Sequence, residues 1–243
     1  MATLIFDIET VGEQWSDLDV PTQQTLSRWI ERSTHTEIEK EALLKDLHEG
    51  LGFSPLTGSI VAIGLYDLER RQGAVYYTGE GDEKDEHDGE YVLKQRSEKE
   101  MLEDFWEGAK SYDTFVTFNG RAFDVPFILH RSVIHEVIPS RDLMRGRYLY
   151  QQTETRHIDL RDQLTFYGSM QRRPGLHLFC RAYGIDSPKT GGVIGDDVSE
   201  LFHAKKFRDI ARYNVRDVVA TTEVYQKWFE YLAPDSFKYS SIE

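Results

Sequence analysis

Two short apolar runs rich in β-branched and aromatic residues, 3–8 (TLIFDI) and 114–118 (TFVTF), constrain this chain more than any other feature. Each has the composition of a short buried strand, and each runs directly into polar residues. Between them, residues 12–55 are polar with a helical spacing of apolar positions, and residues 59–66 (SIVAIGLY) and 74–78 flank a turn-prone stretch, as in an antiparallel hairpin. Ser97 followed by Glu100 is a capping box for a helix whose buried face carries Met101, Leu102, Phe105 and Trp106. After the 114–118 strand, Pro126 suits the first turn of a helix over 125–133. Residues 158–166 and 176–182 read as amphipathic segments, and 198–202 and 206–231 as helices. That order predicts a mixed sheet with helices packed on it, in one domain. Right-handed crossovers would set the 3–8 and 114–118 strands side by side, with their carboxyl ends at the edge where α/β folds place ligands.

Composition excludes some functions. The chain has 243 residues and a formal charge of −13, which argues against coating long duplexes through sequence-independent phosphate contacts. The charge is uneven: residues 141–181 hold eight arginines and four acids, whereas 80–90 is an acidic run that reads as a solvated surface loop. No stretch has the roughly 18–20 apolar residues needed to span a bilayer. The start lacks the pattern of a secretory signal. Cys180 is the only cysteine, so no internal disulfide forms. It reads as a packing residue, and a reducing, cytoplasmic setting is expected.

The polar residues at the strand ends carry the chemistry. Asp7 and Glu9 lie two apart on a strand and so share a face. Taken alone, that pair also fits a solvated strand end. Asp124 lies beyond Asn119-Gly120, where it equally reads as a helix cap and Asn119-Gly120 as a tight turn. Tyr213 and Asp217 are four apart and share a helix face, which by itself is also an ordinary solvated face. The argument is joint: four acids from three distant segments converging on one point are costly unless cations neutralise them, so the set implies a divalent-metal site. His157, before a buried Asp-Leu, reads as structural.

FDIET, FVTFNGRAFDVPFI and ARYNVRDVVATTEVY resemble the three motifs of the DEDD 3′–5′ exonuclease superfamily in its tyrosine subgroup. The middle motif is similar to the proofreading domain of family-B DNA polymerases, and the segments SPLTGSIV, HIDL and GIDSPK extend the likeness over nearly the whole chain. The resemblance implies a ribonuclease-H-like α/β fold: a mixed five-stranded sheet, helices on both faces, and a helical insertion at about 12–55. Residues 1–243 would form a single exonuclease domain. It further implies hydrolysis of phosphodiester bonds at a 3′ end with two Mg²⁺ or Mn²⁺ ions as cofactors. Asp7, Glu9, Asp124 and Asp217 would hold the metals, and Tyr213 would orient the attacking water. Thr10, Asn119, Phe123 and Lys189 would hold the terminal nucleotide. Arg141, Arg145, Arg147, Arg156, Arg172 and Arg173 are candidates for tracking phosphates. The expected substrate is single-stranded DNA. RNA and a non-catalytic nucleic-acid-binding role are the alternatives, and neither a membrane nor a particular protein partner is indicated.

Overall fold

A computed structural model describes residues 2–33, 36–81, 84–191 and 197–238. Strand β1 (Thr3–Gly12) is followed by α1 (Val20–Ser33), α2 (Glu37–Glu49) and a 3₁₀ turn, Gly50–Phe53. Next come β2 (Gly58–Asp67), β3 (Gln72–Tyr77), β4 (Glu86–Asp88), β5 (Tyr91–Gln95) and α3 (Glu98–Ala109). Then β6 (Thr114–Thr117) and α4 (Asp124–Ile134) lead to β7 (Arg156–Asp159), α5 (Leu160–Leu164) and α6 (Leu176–Tyr183). A 3₁₀ turn, Pro188–Gly191, then α7 (Val198–His203), the long α8 (Phe207–Tyr231) and α9 (Asp235–Lys238) complete the described chain.

Among the described residues the sheet is mixed and has seven strands in the order β4-β5-β3-β2-β1-β6-β7, not the five expected. The three strands that the sequence pattern did not locate, β4, β5 and β7, are short. β4 and β5 fall in and after the acidic run, where Glu86 leaves solvent to pair with Arg208 (3.2 Å) and Arg212 (2.6 Å) on α8. β7 (RHID) has four mostly polar residues and overlaps the first two residues of the segment read as amphipathic over 158–166. Asp82 and Glu83 of the acidic run lie outside the described residues. The β2–β3 hairpin and the Ser97–Glu100 capping box form as expected.

Strand β1 pairs antiparallel with β2 and parallel with β6, so it is central. Alternation then sorts its side chains. Leu4, Phe6 and Ile8 enter a core shared with Met101, Phe105 of α3 and Phe127, Ile128 of α4. Ile5 and Val11 enter the opposite core, with Val218, Val224 and Trp228 of α8. Helices therefore cover both faces. Asp7 and Glu9, in phase with Ile5, are aimed at α8.

The insertion is anchored beside the sheet edge. Thr10 Oγ1 donates to the Gly52 carbonyl at 2.7 Å. Glycines permit this approach: a Cβ on Gly12 would lie 2.7 Å from the Gly52 nitrogen.

Candidate active site

Three elements deliver the acids. β1 carries Asp7 and Glu9, α4 opens with Asp124, and α8 brings Tyr213, Asn214 and Asp217 over the sheet. Carboxylate oxygens of Asp7, Glu9 and Asp217 all lie within 4.8 Å of one another. Asp124 is buried and joins the group through the backbone: its Oδ1 accepts the Ile8 N–H at 3.1 Å. β6 ends at Thr117, so its pairing with β1 stops at Ile5–Val116 and leaves the Ile8 N–H without a ladder partner. Asp124 fills that gap. It is the first residue of α4 and not the cap, a position held by Phe123.

The electrostatics are those of crowded anions. Burial pushes the Asp7 carboxyl well above the usual range, and the charges of Asp124, Asp217 and Glu9 push it further. Burial and then Asp217 raise Glu9 in the same way. Burial lifts Asp124 to about 7. It lifts Asp217 to about 6 against the opposing effects of a Tyr213 hydrogen bond and the Arg216 and Lys189 charges. Each shift measures how poorly the protein alone accommodates the charged forms. Burial and the charges of Asp217 and Glu9 also raise the Tyr213 phenol, which stays neutral and donates to Asp217.

One contact of the acid cluster was not expected from the sequence. Asn214 is fully buried, and its Nδ2 donates to Asp7 Oδ2 at 2.8 Å and to Glu9 Oε1 at 3.4 Å. It sits over Gly64, which lies opposite Asp7 on β2. A Cβ on Gly64 would overlap Asn214 Oδ1 and lie 2.9 Å from Val218 Cγ2. An amide inside a motif of acids gives no sequence signal, since its meaning depends on a glycine 150 residues earlier.

The remaining expected residues fall around the cluster. Asn119 holds a left-handed φ of 67°, and its Oδ1 accepts from Arg161 Nη1 at 2.9 Å. Asp159, capping α5, fixes this turn: Oδ1 accepts the Asn119 N–H and Oδ2 the Arg121 N–H, both at 3.0 Å. Phe123 is half-buried and meets Phe53 of the insertion edge-on, at a centroid distance of 6.4 Å. Phe53 is 69% exposed, so the end of the insertion lies beside the site. Thr10 uses its hydroxyl on Gly52. Lys189 is exposed, near enough to Asp217 to lower its pKa. His157 is structural: its buried ring bonds Thr117 and the Leu143 carbonyl, and burial lowers its pKa to about 3.

The Arg-rich segment does not form one track. Arg141 donates to the carbonyls of Ala109 and Lys110, Arg145 faces Glu154, and Arg156 stacks on Phe237. Arg147 and Arg173 instead line a cavity with Arg121 and Arg161.

The oxygen-only donor set fits a hard divalent cation such as Mg²⁺ or Mn²⁺, with no sulfur or imidazole in the cluster to favour zinc. Residues 74–235 match the family model described as a predicted 3′–5′ exonuclease related to the exonuclease domain of PolB. The chain is also similar in structure to the family B DNA polymerase from the hyperthermophilic archaeon Pyrobaculum calidifontis, with a TM-score of 0.56 and 18% identity. That match covers 93% of this chain and 24% of the polymerase, so the chain spans about a quarter of that relative's length. No curated protein sequence matches.

Proposed function

The chain belongs to the family of predicted 3′–5′ exonucleases related to the exonuclease domain of PolB, and from that premise we propose what it cuts and how. It acts as a single ribonuclease-H-like exonuclease domain of the DEDD superfamily, tyrosine subgroup. Its substrate is the 3′ end of single-stranded DNA, and its products are 5′-mononucleotides. The observation that carries this reading is the convergence of Asp7, Glu9 and Asp217 within 4.8 Å, with Asp124 and Tyr213 joined to them. A module that only bound nucleic acid would have no use for a buried set of mutually repelling carboxylates.

Asp7, Glu9 and Asp217 would hold one cation, and Asp7 with Asp124 a second. When bound, the ions supply Lewis-acid activation of water and stabilise charge on the leaving 3′ oxygen. The chain's own residues do the positioning. Asn214 fixes the rotamers of Asp7 and Glu9, so that their oxygens face the cleft before any ligand arrives. Tyr213, kept neutral by burial and neighbouring acids, offers a hydroxyl to orient the attacking water and cannot serve as an ionised base near neutral pH. Asn119, held by Asp159 and Arg161, and Phe123 flank the terminal nucleotide, with Thr10 and Lys189 at its margins.

The test is stepwise 3′ shortening of 5′-labelled single-stranded DNA in Mg²⁺ or Mn²⁺ by wild type and by Asp7→Ala. The reading requires that the variant fold normally and lose nearly all turnover; equal turnover in both would remove it. An RNA strand of the same sequence, digested in parallel, decides the sugar preference, since an exoribonuclease would degrade it faster.

A further inference from the structure

The turn after β6, the end of β7 and α5 wall a cavity of about 330 Å³, apart from the acid cluster; the Asn119 turn that lines it leads on to Asp124 at the start of α4. Arg121, Arg147, Arg161 and Arg173 line it against Asp159 and Asp162, a local charge of +2 in a chain of net −13.

The two acids are already engaged. Asp159 accepts the backbone N–H groups of Asn119, Arg121, Arg161 and Asp162. Asp162 takes a two-point contact from Arg147, at 2.7 and 2.9 Å. Arg121 and Arg161 are held by neutral oxygens. Arg121 donates to the Leu143 and Met144 carbonyls at 3.3 and 2.7 Å. Arg161 donates to Asn119 Oδ1 at 2.9 Å and to the Arg173 carbonyl at 3.1 Å, while its Nε has no acceptor. Among the described residues, none of Arg121, Arg161 and Arg173 has a carboxylate within ion-pair distance. Three guanidinium groups therefore surround one cavity without a direct ion pair, offset only in part by Asp159, and burial lowers the Arg121 pKa against the pull of Asp159 and Asp162. Guanidinium groups present planar pairs of donors that match the oxygens of a phosphate.

We infer that this cavity takes a backbone phosphate of the substrate strand on the 5′ side of the bond being cut. The inference rests on the exonuclease reading for its direction: with the 3′-terminal nucleotide at the acids, the rest of the strand can extend only to the 5′ side. The Arg161–Asn119 bond gives the two sites a mechanical link, since an anion drawn onto Arg161 bears on the residue beside the terminal nucleotide.

The experiment is strand binding by fluorescence anisotropy in EDTA, where no metal-dependent cleavage occurs. Wild type, Arg161→Gln and Arg173→Gln are titrated with single strands carrying one uncharged methylphosphonate linkage, moved stepwise from the 3′ end. Arg173 is exposed, so its variant keeps the fold. One internal position is expected to weaken wild-type binding about tenfold and to have little effect on either variant. Each variant's salt-dependence slope falls by about 0.7, one phosphate contact. Equal effects of every linkage on all three proteins, or wild-type affinity in both variants, would overturn the proposal. So would competition by inorganic phosphate or a nucleoside monophosphate that the variants abolish without any positional effect, because the cavity would then hold a free phosphate. Turnover by wild type against Asp7→Ala is scored separately. A positional signature without nuclease activity sinks the catalytic reading alone, and activity without the signature sinks this one alone.

Discussion

Replacing Gly64 by alanine should damage the site without touching an acid. The added Cβ overlaps Asn214 Oδ1 and lies 2.9 Å from Val218 Cγ2 and 3.0 Å from Asn214 Cγ. Asn214 has no exposed surface and Val218 is equally buried, so neither moves cheaply. Overpacking of this kind costs about 1–3 kcal/mol. Displacing the amide also removes its bonds to Asp7 and Glu9, worth about 1.5–3 kcal/mol for charged acceptors. A net loss of about 3 kcal/mol lowers Tm by roughly 6–12 °C in a chain of this size. Losing a residue that orients metal ligands lowers activity about 10–100-fold. The assays are thermal melting in EDTA and turnover in Mn²⁺. The decisive variant is the double one, Gly64→Ala with Asn214→Ala. There the methyl enters space the amide has left, so the double variant should be at least about 1 kcal/mol more stable than Gly64→Ala alone, though no more active. Additive losses, or a Gly64→Ala protein indistinguishable from wild type, would refute the packing argument.

Other consequences follow from the same geometry. With Asp124 raised to about 7 and Asp217 to about 6, the metal-free fold favours the protonated forms; the contribution of these two carboxyls to stability is fully present below about pH 4 and is lost as pH rises through 6 and 7. Apo melting temperature should therefore fall between pH 5 and 8, and Mg²⁺ should raise it more at pH 8 than at pH 5; a flat apo profile would contradict the crowding. Tyr213→Phe is expected to lower kcat about 100-fold with little change in KM, and to leave the pH profile unshifted, because a neutral phenol titrates in neither protein. A shifted alkaline limb would make Tyr213 a base instead. Phe53→Ala should raise KM for a single strand about tenfold by removing a stacking surface beside Phe123, with kcat little altered; an unchanged KM would mean the ring only shields the anchor of the insertion.

The acids were legible because their spacing has direct geometric meaning. Two residues apart on β1 put Asp7 and Glu9 on the α8 side, and four apart on α8 put Tyr213 in reach of Asp217. The central strands, the hairpin and the capped helix were legible for the same reason, as each is a local pattern. What stayed hidden is defined by contact across the fold. Asn214 acquires its role only over Gly64, and Asp124 only because β6 ends short of Ile8. Phe53 is one residue of a polar insertion until Gly12 and Gly52 let that segment close against β1. β4 (EHD) and β7 (RHID) are mostly polar and β5 (YVLKQ) is half polar, so none has the apolar composition that marks the 114–118 run.

The central claim is that Asp7, Glu9, Asp124 and Asp217 are metal ligands. Anomalous scattering from Mn²⁺-soaked crystals tests it most directly. Peaks are expected between Asp7, Glu9 and Asp217, and between Asp7 and Asp124, with ligand oxygens at about 2.0–2.3 Å. No manganese there, with the carboxylates turned to Arg216 and Lys189 instead, would contradict it.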